Sequence, residues 1–288
     1  GGTNPIHTLT GNKYQRLDVY QDAGPFPLNF TLHYNSRAGG TRPDLGYGWN
    51  QPNQGAARWS HTHPQRGTWR YAHWLSHPEL WTGLGVQRTA LRLRRPDGRV
   101  ERYSNTYDPT LRTTVTSTWH AAPNITSRLE TLTDATGAWN GLRYTDAQDT
   151  VETYDLDGRL LRVTNRQGLS HHYSHTGNQT VITDDVGRTL TLTRTATTLD
   201  VRAPDGSQHQ VQFNADGDVT AVLHPDGGQT TLAYTDPRYP GSLTTLTDPA
   251  GVVLGRWSYD DQNRALSSEH AGGQRPLYAE LSRGELSR

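Results

Sequence analysis

Residues 154–168 read Tyr154-Asp155-Leu156-Asp157-Gly158-Arg159-Leu160-Leu161-Arg162-Val163-Thr164-Asn165-Arg166-Gln167-Gly168. A short segment of mixed apolar and polar residues ends at one glycine, and the next segment ends at another glycine ten residues later. Consecutive antiparallel strands joined by tight turns have this appearance. From about Leu91 onward the chain repeats it. Asp97-Gly98, Asp157-Gly158, Asp205-Gly206, Asp216-Gly217 and Asp226-Gly227 are Asp-Gly pairs. They fit two-residue type I′ turns, which need positive φ at both positions, a demand that Asp tolerates and Gly meets freely. A second set reads Asp/Asn-x-x-Gly, at Asp134 to Gly137, Asn165 to Gly168, Asp184 to Gly187 and Asp248 to Gly251.

Between the turns lie period-two stretches such as Thr189-Leu190-Thr191-Leu192-Thr193, which place leucines on one face of a strand and threonines on the other. One unit is a hairpin of about twenty residues, too small to fold alone, so each must pair with its neighbours and the sheet must either close or leave edges. Composition agrees. Only 32% of the residues are hydrophobic and 19% charged, and Thr (39 residues), Trp and Tyr, which suit half-buried strands, make up the difference. Lys13 is the single lysine, and Ala and Glu rarely fall at helical spacing. The expected fold is all-β: successive hairpins in a curved single-layer sheet (91–288) behind an irregular N-terminal cap or entry region (1–90) where Gly and Pro keep no period.

Lys+Arg 28 balance Asp+Glu 28, so there is no electrostatic footprint for nucleic acid or an anionic membrane. The longest wholly aliphatic run, Val252-Val253-Leu254, is far short of the roughly 20 residues of a spanning helix. Without cysteine there is no disulfide scaffold, thiol catalysis or cysteine-ligated zinc. No Met stands at position 1 and no signal-like stretch follows, which reads as a piece of a longer protein.

Several segments together carry a resemblance. Asn4-Pro5-Ile6-His7-Thr8-Leu9-Thr10-Gly11-Asn12-Lys13, then Pro27-Leu28-Asn29-Phe30-Thr31-Leu32-His33-Tyr34-Asn35-Ser36 and Leu45-Gly46-Tyr47-Gly48-Trp49, resemble the opening of the shell of bacterial Rhs (rearrangement hot spot) proteins. Residues 154–168 are similar to the tyrosine-aspartate (YD) repeat shared with teneurins and insecticidal toxin-complex proteins, as are Trp257-Ser258-Tyr259-Asp260 and Ser267-Ser268-Glu269-His270-Ala271-Gly272-Gly273. The resemblance implies part of a β-cage around a C-terminal toxin that lies outside this chain. Its partners would be the rest of the shell, that toxin and a secretion machinery, for instance type VI. The parent would be made in the bacterial cytoplasm, then exported or displayed on the cell. Family shells are several times longer, so the cage here is incomplete and an open sheet edge could recruit another copy. The family's aspartyl autoprotease junction has an Asp-Pro-x-Gly-Leu motif. Asp248-Pro249-Ala250-Gly251-Val252 resembles it superficially, but repeat sequence resumes at Trp257, so these residues read as an ordinary turn.

Other residues invite chemistry. Trp59, Trp69, Tyr71, Trp74 and Trp81 could stack on sugar rings, and the alternative reading is a carbohydrate- or receptor-binding surface module. In a thin wall the same rings serve as packing. His61, His63, His73, His77 and Glu79 lie close in sequence but lack the helical spacing of the metalloprotease motif, and His171, His172 and His175 read as a solvated strand end. Asp155-Leu156-Asp157-Gly158 lacks the later ligands of a calcium loop. In Asp184-Asp185 and Asp260-Asp261 the two acids point to opposite faces of a strand and cannot share a substrate. With no G-x-S-x-G, P-loop, dinucleotide fingerprint or H-E-x-x-H, the expectation is no enzyme, no cofactor and no metal.

Overall fold

The computed structural model describes residues 6–7, 11–36, 59–61, 87–95, 100–108, 110–156, 158–270 and 277–278. Every regular element among them is a strand. β1 (Ile6–His7), β2 (Asn12–Tyr20), β3 (Phe30–Asn35) and β4 (Trp59–His61) form one antiparallel sheet in chain order. β5 (Gln87–Arg94), β6 (Val100–Asp108), β7 (Thr113–Thr114) and β8 (His120–Ala121) form a second, in which β7 and β8 both pair with β6.

The third sheet is the hairpin array. Its fifteen strands follow chain order without a crossover. They are β9 (Arg128–Thr133), β10 (Trp139–Thr145), β11 (Val151–Tyr154), β12 (Leu160–Thr164), β13 (Ser170–Thr176), β14 (Gln179–Asp184), β15 (Thr189–Arg194), β16 (Thr198–Arg202), β17 (Gln208–Phe213), β18 (Val219–Leu223), β19 (Gln229–Ala233), β20 (Thr245–Thr247), β21 (Val253–Tyr259), β22 (Ala265–His270) and β23 (Leu277–Tyr278). It is not closed, and neighbouring strands pair antiparallel throughout. Residues 117–119 run beside β9, with Trp119 N–H donating to the Leu129 carbonyl (2.9 Å) and Thr131 N–H to that of Ser117 (2.7 Å). The second sheet thereby adjoins the first strand of the array.

The turns differ from the expected type I′ pairs. Ten connections, beginning at Asp134, Asp146, Asp155, Asn165, Asp184, Ala203, Asn214, His224, Asp248 and Asp260, share one pattern. The first residue's N–H donates to the fifth carbonyl, and the fourth residue's N–H donates to the first carbonyl. In all ten the fourth residue has positive φ: Gly at eight, between +74° and +85°, with Asp149 (+62°) and Asn263 (+57°) at the others. Asp205, Asp216 and Asp226 are not in this conformation, and Asp97-Gly98 and Asp157 lie outside the described residues. The loop is therefore a type I turn closed by a left-handed residue, the three-residue hairpin geometry. It unites the described members of both sets of glycine motifs in a single design.

The first position explains the excess of Asp and Asn. At eight of the ten turns its side-chain Oδ1 accepts the N–H of the fifth residue, at 2.8–3.1 Å. Ala203 and His224 cannot do so, and there the third residue substitutes: Asp205 accepts from Ser207 N–H and Asp226 from Gly228 N–H, both at 2.9 Å. Five turns are followed, six residues after their first, by a residue that the pairing skips: Asn140, Leu161, Thr220, Leu254 and Leu266. A bulge bends its strand and increases the local twist. Four of the five lie along the same edge of the array, and bulging accounts for the exposure of Leu161, Leu254 and Leu266.

Period-two burial holds along the strands. In β15 Leu190 and Leu192 are buried while Thr189 is exposed, and in β16 Leu199 and Val201 are buried between exposed Asp200 and Arg202. The apolar faces join one core cluster with Phe30, Leu32 and Tyr34 of β3, so the N-terminal sheet forms a second layer over part of the array.

A Cβ at Gly206 would meet nothing within 4 Å, so only its φ of +84° opposes substitution. Gly206→Val should destabilise the chain by roughly 1–2 kcal/mol and Gly206→Asn by less, because Asn tolerates the left-handed region. Urea denaturation checks this, and equal midpoints for the two variants would contradict the turn assignment.

Candidate functional site

The largest built feature is the seam where β2, β3 and residues 21–29 lie across the apolar face of the array. At one end Ala265 N–H donates to the Gly11 carbonyl (2.8 Å), and Gly11 has no room for a side chain, since a Cβ would stand 2.4 Å from that of Arg264. Leu243 N–H donates to the Tyr34 hydroxyl (2.9 Å), while Tyr259 O–H donates to the Leu243 carbonyl (2.7 Å). Midway, Tyr20 meets His209 edge-on, with centroids 5.9 Å apart. Beyond it Asp22 accepts from Arg188 (3.0 Å), which also holds Asp184, and Phe26 stacks on His171 at 3.9 Å. The contacts begin at the turn between β21 and β22 and reach turns 203–207 and 184–188 on the opposite edge, so the strand lies diagonally over the hairpins.

Burial sets the protonation of the basic groups in the seam. Lys13 is fully buried; its Nζ donates to the Tyr14 carbonyl (2.6 Å) and Gln15 Oε1 (3.1 Å) and lies 4.5 Å above the Trp257 ring. Desolvation pushes it down to about 7. Burial also lowers His171, against the pull of the Phe26 carbonyl and of Asp184 and Asp185, and lowers His209, reinforced by His224. Tyr14 O–H and His33 Nδ1 are hydrogen-bonded between β2 and β3.

A second cluster fastens β5–β6 to the array. Arg95 makes a bidentate pair with Glu152 (2.6 and 2.7 Å) and stacks its guanidinium 4.2 Å from the Tyr144 ring centre. Tyr154 O–H donates to Glu152 (2.5 Å), and Glu101 accepts from Tyr103 and Ser127, both at 2.7 Å. Desolvation opposes the Arg95 charge, yet the hydrogen bonds and charge of Glu152 hold it above its ordinary value. Burial pushes Tyr144 up to about 12. Every polar group here is occupied by another, which suits a joint better than a reaction centre.

The opposite face of the array carries a trough of about 630 Å³ across β14–β18. Gln179, Thr193, Asp200, Gln210 and Leu223 are successive cross-strand partners, with Thr191, Arg202 and Gln208 in the adjacent row. Gln210 donates to Asp200 at 2.8 Å.

Residues singled out from the sequence are distributed unevenly. Trp59 lies in β4, where its backbone pairs with Tyr34; its side chain, like Trp69, Tyr71, Trp74 and Trp81, is outside the described residues, as are His63, His73, His77, Glu79 and the side chain of His61. Asp184 is buried and Asp185 exposed. Asp248 Oδ1 is engaged by Ala250 and Val252 N–H (3.0 and 2.8 Å), so the Asp-Pro step is one more turn of the common design. The expected solvated end at His171 is instead a buried docking point; the alternation with Tyr173, two residues on and on the same face, was the available signal. His175 is half-buried against the Leu160 carbonyl (2.7 Å). Among the described residues no group of three His, Cys, Asp or Glu is placed to hold a metal, and no helix is long and apolar enough to cross a membrane.

Residues 3–103, about a third of the chain, match a family described only as a domain of unknown function, DUF6531. No curated protein matches the chain. Solved structures similar to it include the TcdB2-TccC3-Cdc42 complex (15% identity over 66% of this chain, TM-score 0.27), the Photorhabdus luminescens Tc holotoxin pore (14% over 66%, 0.27) and TcdB2-TccC3 (16% over 64%, 0.23). The chain covers 11%, 11% and 10% of those chains, about a tenth of their length.

Glu152→Ala leaves a buried guanidinium unpaired and should cost about 3–5 kcal/mol, whereas Arg95→Met combined with Glu152→Met should cost clearly less. Denaturant titration of the two variants decides it. A double variant as unstable as Glu152→Ala would remove the pair from its role as the joint.

Proposed function

We propose that this chain is a structural segment of an Rhs-type shell, a wall that encloses and presents a C-terminal toxin of the same parent protein, and that it performs no catalysis itself. The observation that carries this reading is the array: fifteen strands in chain order, joined largely by one repeated turn, form an open sheet whose extent grows by adding hairpins rather than by thickening a core. The sequence resemblance adds the family, and the DUF6531 match covers the region where its opening motifs lie. In this reading the parent is made in a bacterial cytoplasm and then exported or displayed. Its partners are the remaining shell, the toxin and the delivery machinery.

In the full-length parent, the segment that follows the shell should resist protease under native conditions and become cleavable when Glu152→Ala weakens the wall. Digestion in the intact parent as fast as in the isolated toxin domain would overturn the proposal.

The trough favours a second reading as a glycan-binding surface. Its amide, hydroxyl, carboxylate and guanidinium groups stand in rows at the strand spacing of roughly 4.8 Å, close to the repeat of an extended glycan. Calorimetric titration with neutral oligosaccharides should then give heat that Asp200→Ala and Gln210→Ala abolish. No heat with the unaltered chain would dismiss this reading and leave the shell reading untouched.

A further inference from the structure

Three points at which the N-terminal strands touch the array have the same composition, a basic side chain against an aromatic ring. Lys13 of β2 lies over Trp257 of β21 at 4.5 Å. His209 of β17 meets Tyr20 edge-on, and its Nδ1 is buried with no hydrogen-bond partner among the described residues. His171 of β13 stacks on Phe26 with an interplanar angle of 11°. The three points mark the beginning, middle and end of the diagonal. We propose that they form an acid-sensitive clasp: protonating the three bases weakens the docking of residues 11–26, so the N-terminal strands leave the array as pH falls.

Groups from both sides of the seam face each base. Lys13 faces Trp257, the Tyr14 carbonyl and Gln15, with Ser36 holding its backbone at 2.8 Å. His171 faces the Phe26 carbonyl, with Asp184, Asp185 and Arg188 in its field. His209 faces Tyr20 and His224, with Asp205 and Asp226 in its field. The carboxylates favour the histidine cations, but desolvation outweighs them and both imidazoles are held below their ordinary value. The Asp22–Arg188–Asp184 arrangement does not oppose the effect, because Asp184 is itself held below the usual carboxylate range, burial notwithstanding, by the Arg188 and Val186 donors.

The sign follows from linkage. Lys13 falls from 10.5 when released to about 7 when docked. Between those values the released form holds a proton that the docked form lacks, so each unit of falling pH shifts the balance toward release by about tenfold. Below about 7 both forms hold it and this contribution becomes constant. The two histidines add a further decline below their ordinary value of 6.5. A cation over an aromatic face regains part of the loss. Docking is therefore strongest in alkali and weakest in acid.

Hydrogen exchange read by mass spectrometry, corrected for the intrinsic pH dependence of exchange, tests the clasp on the whole chain. Between about pH 9 and about pH 5, peptides from β2 and residues 21–29 should lose protection by a hundredfold or more, while β14 and β15 change little. In the Lys13→Met, His171→Phe, His209→Phe variant the β2 profile should be flat across the range. Unchanged β2 protection in the unaltered chain would overturn the proposal without reference to any variant. So would a variant that folds and still loses protection in acid as the unaltered chain does.

Discussion

The array depends on one local interaction: at eight of its turns a short side-chain oxygen on the first residue accepts the N–H of the residue four positions on. Without it that amide would be left to water at the point where the strand reverses. With it, the turn, the left-handed fourth residue and the register of the two strands are set together. A register slip of one residue would exchange the faces of every leucine and threonine beyond it. Repeating the interaction keeps the apolar residues on one face along the array, Leu142, Leu190 and Leu232 among them, all of which are buried. A thin wall needs this, because it has no deep core to correct an error.

The wall does not rest on hairpins alone. Its apolar face is partly covered by β2 and β3, whose Phe30, Leu32 and Tyr34 are inaccessible to solvent. The contacts pin a strand across the hairpins rather than along one of them, bracing elements that otherwise meet only their sequence neighbours. The Arg95–Glu152 pair performs a comparable task between β5–β6 and the first strands of the array. Both braces use polar or charged groups where aliphatic packing would also serve, and this makes their strength depend on geometry and protonation.

Much of the array was legible in the sequence because glycine at positive φ and period-two alternation are local properties. The type of turn was less so. Asp-Gly suggests a two-residue loop, but the glycine is the fourth residue of a longer one, and the decisive oxygen sits three positions before it. Asp149 and Asn263 occupy the same left-handed position without being glycine, so a search for glycine passes over them; the Asp at 146 and 260 was the usable sign. The seam was largely illegible. Nothing local to Lys13 reveals Trp257, and Arg95 and Glu152 are 57 residues apart. Alternation could show that Glu152 and His171 face inward, but not what awaits them there.

The first and last strands of the array are not equivalent. β9 is accompanied by residues 117–119 and backed by the β5–β8 sheet, whereas β23 pairs only with β22 among the described residues. In polymer terms one end of the array is capped. Extra hairpins inserted beyond β22 would leave the capped end and its braces untouched, so an array of this kind can lengthen by duplication on one side without disturbing the other.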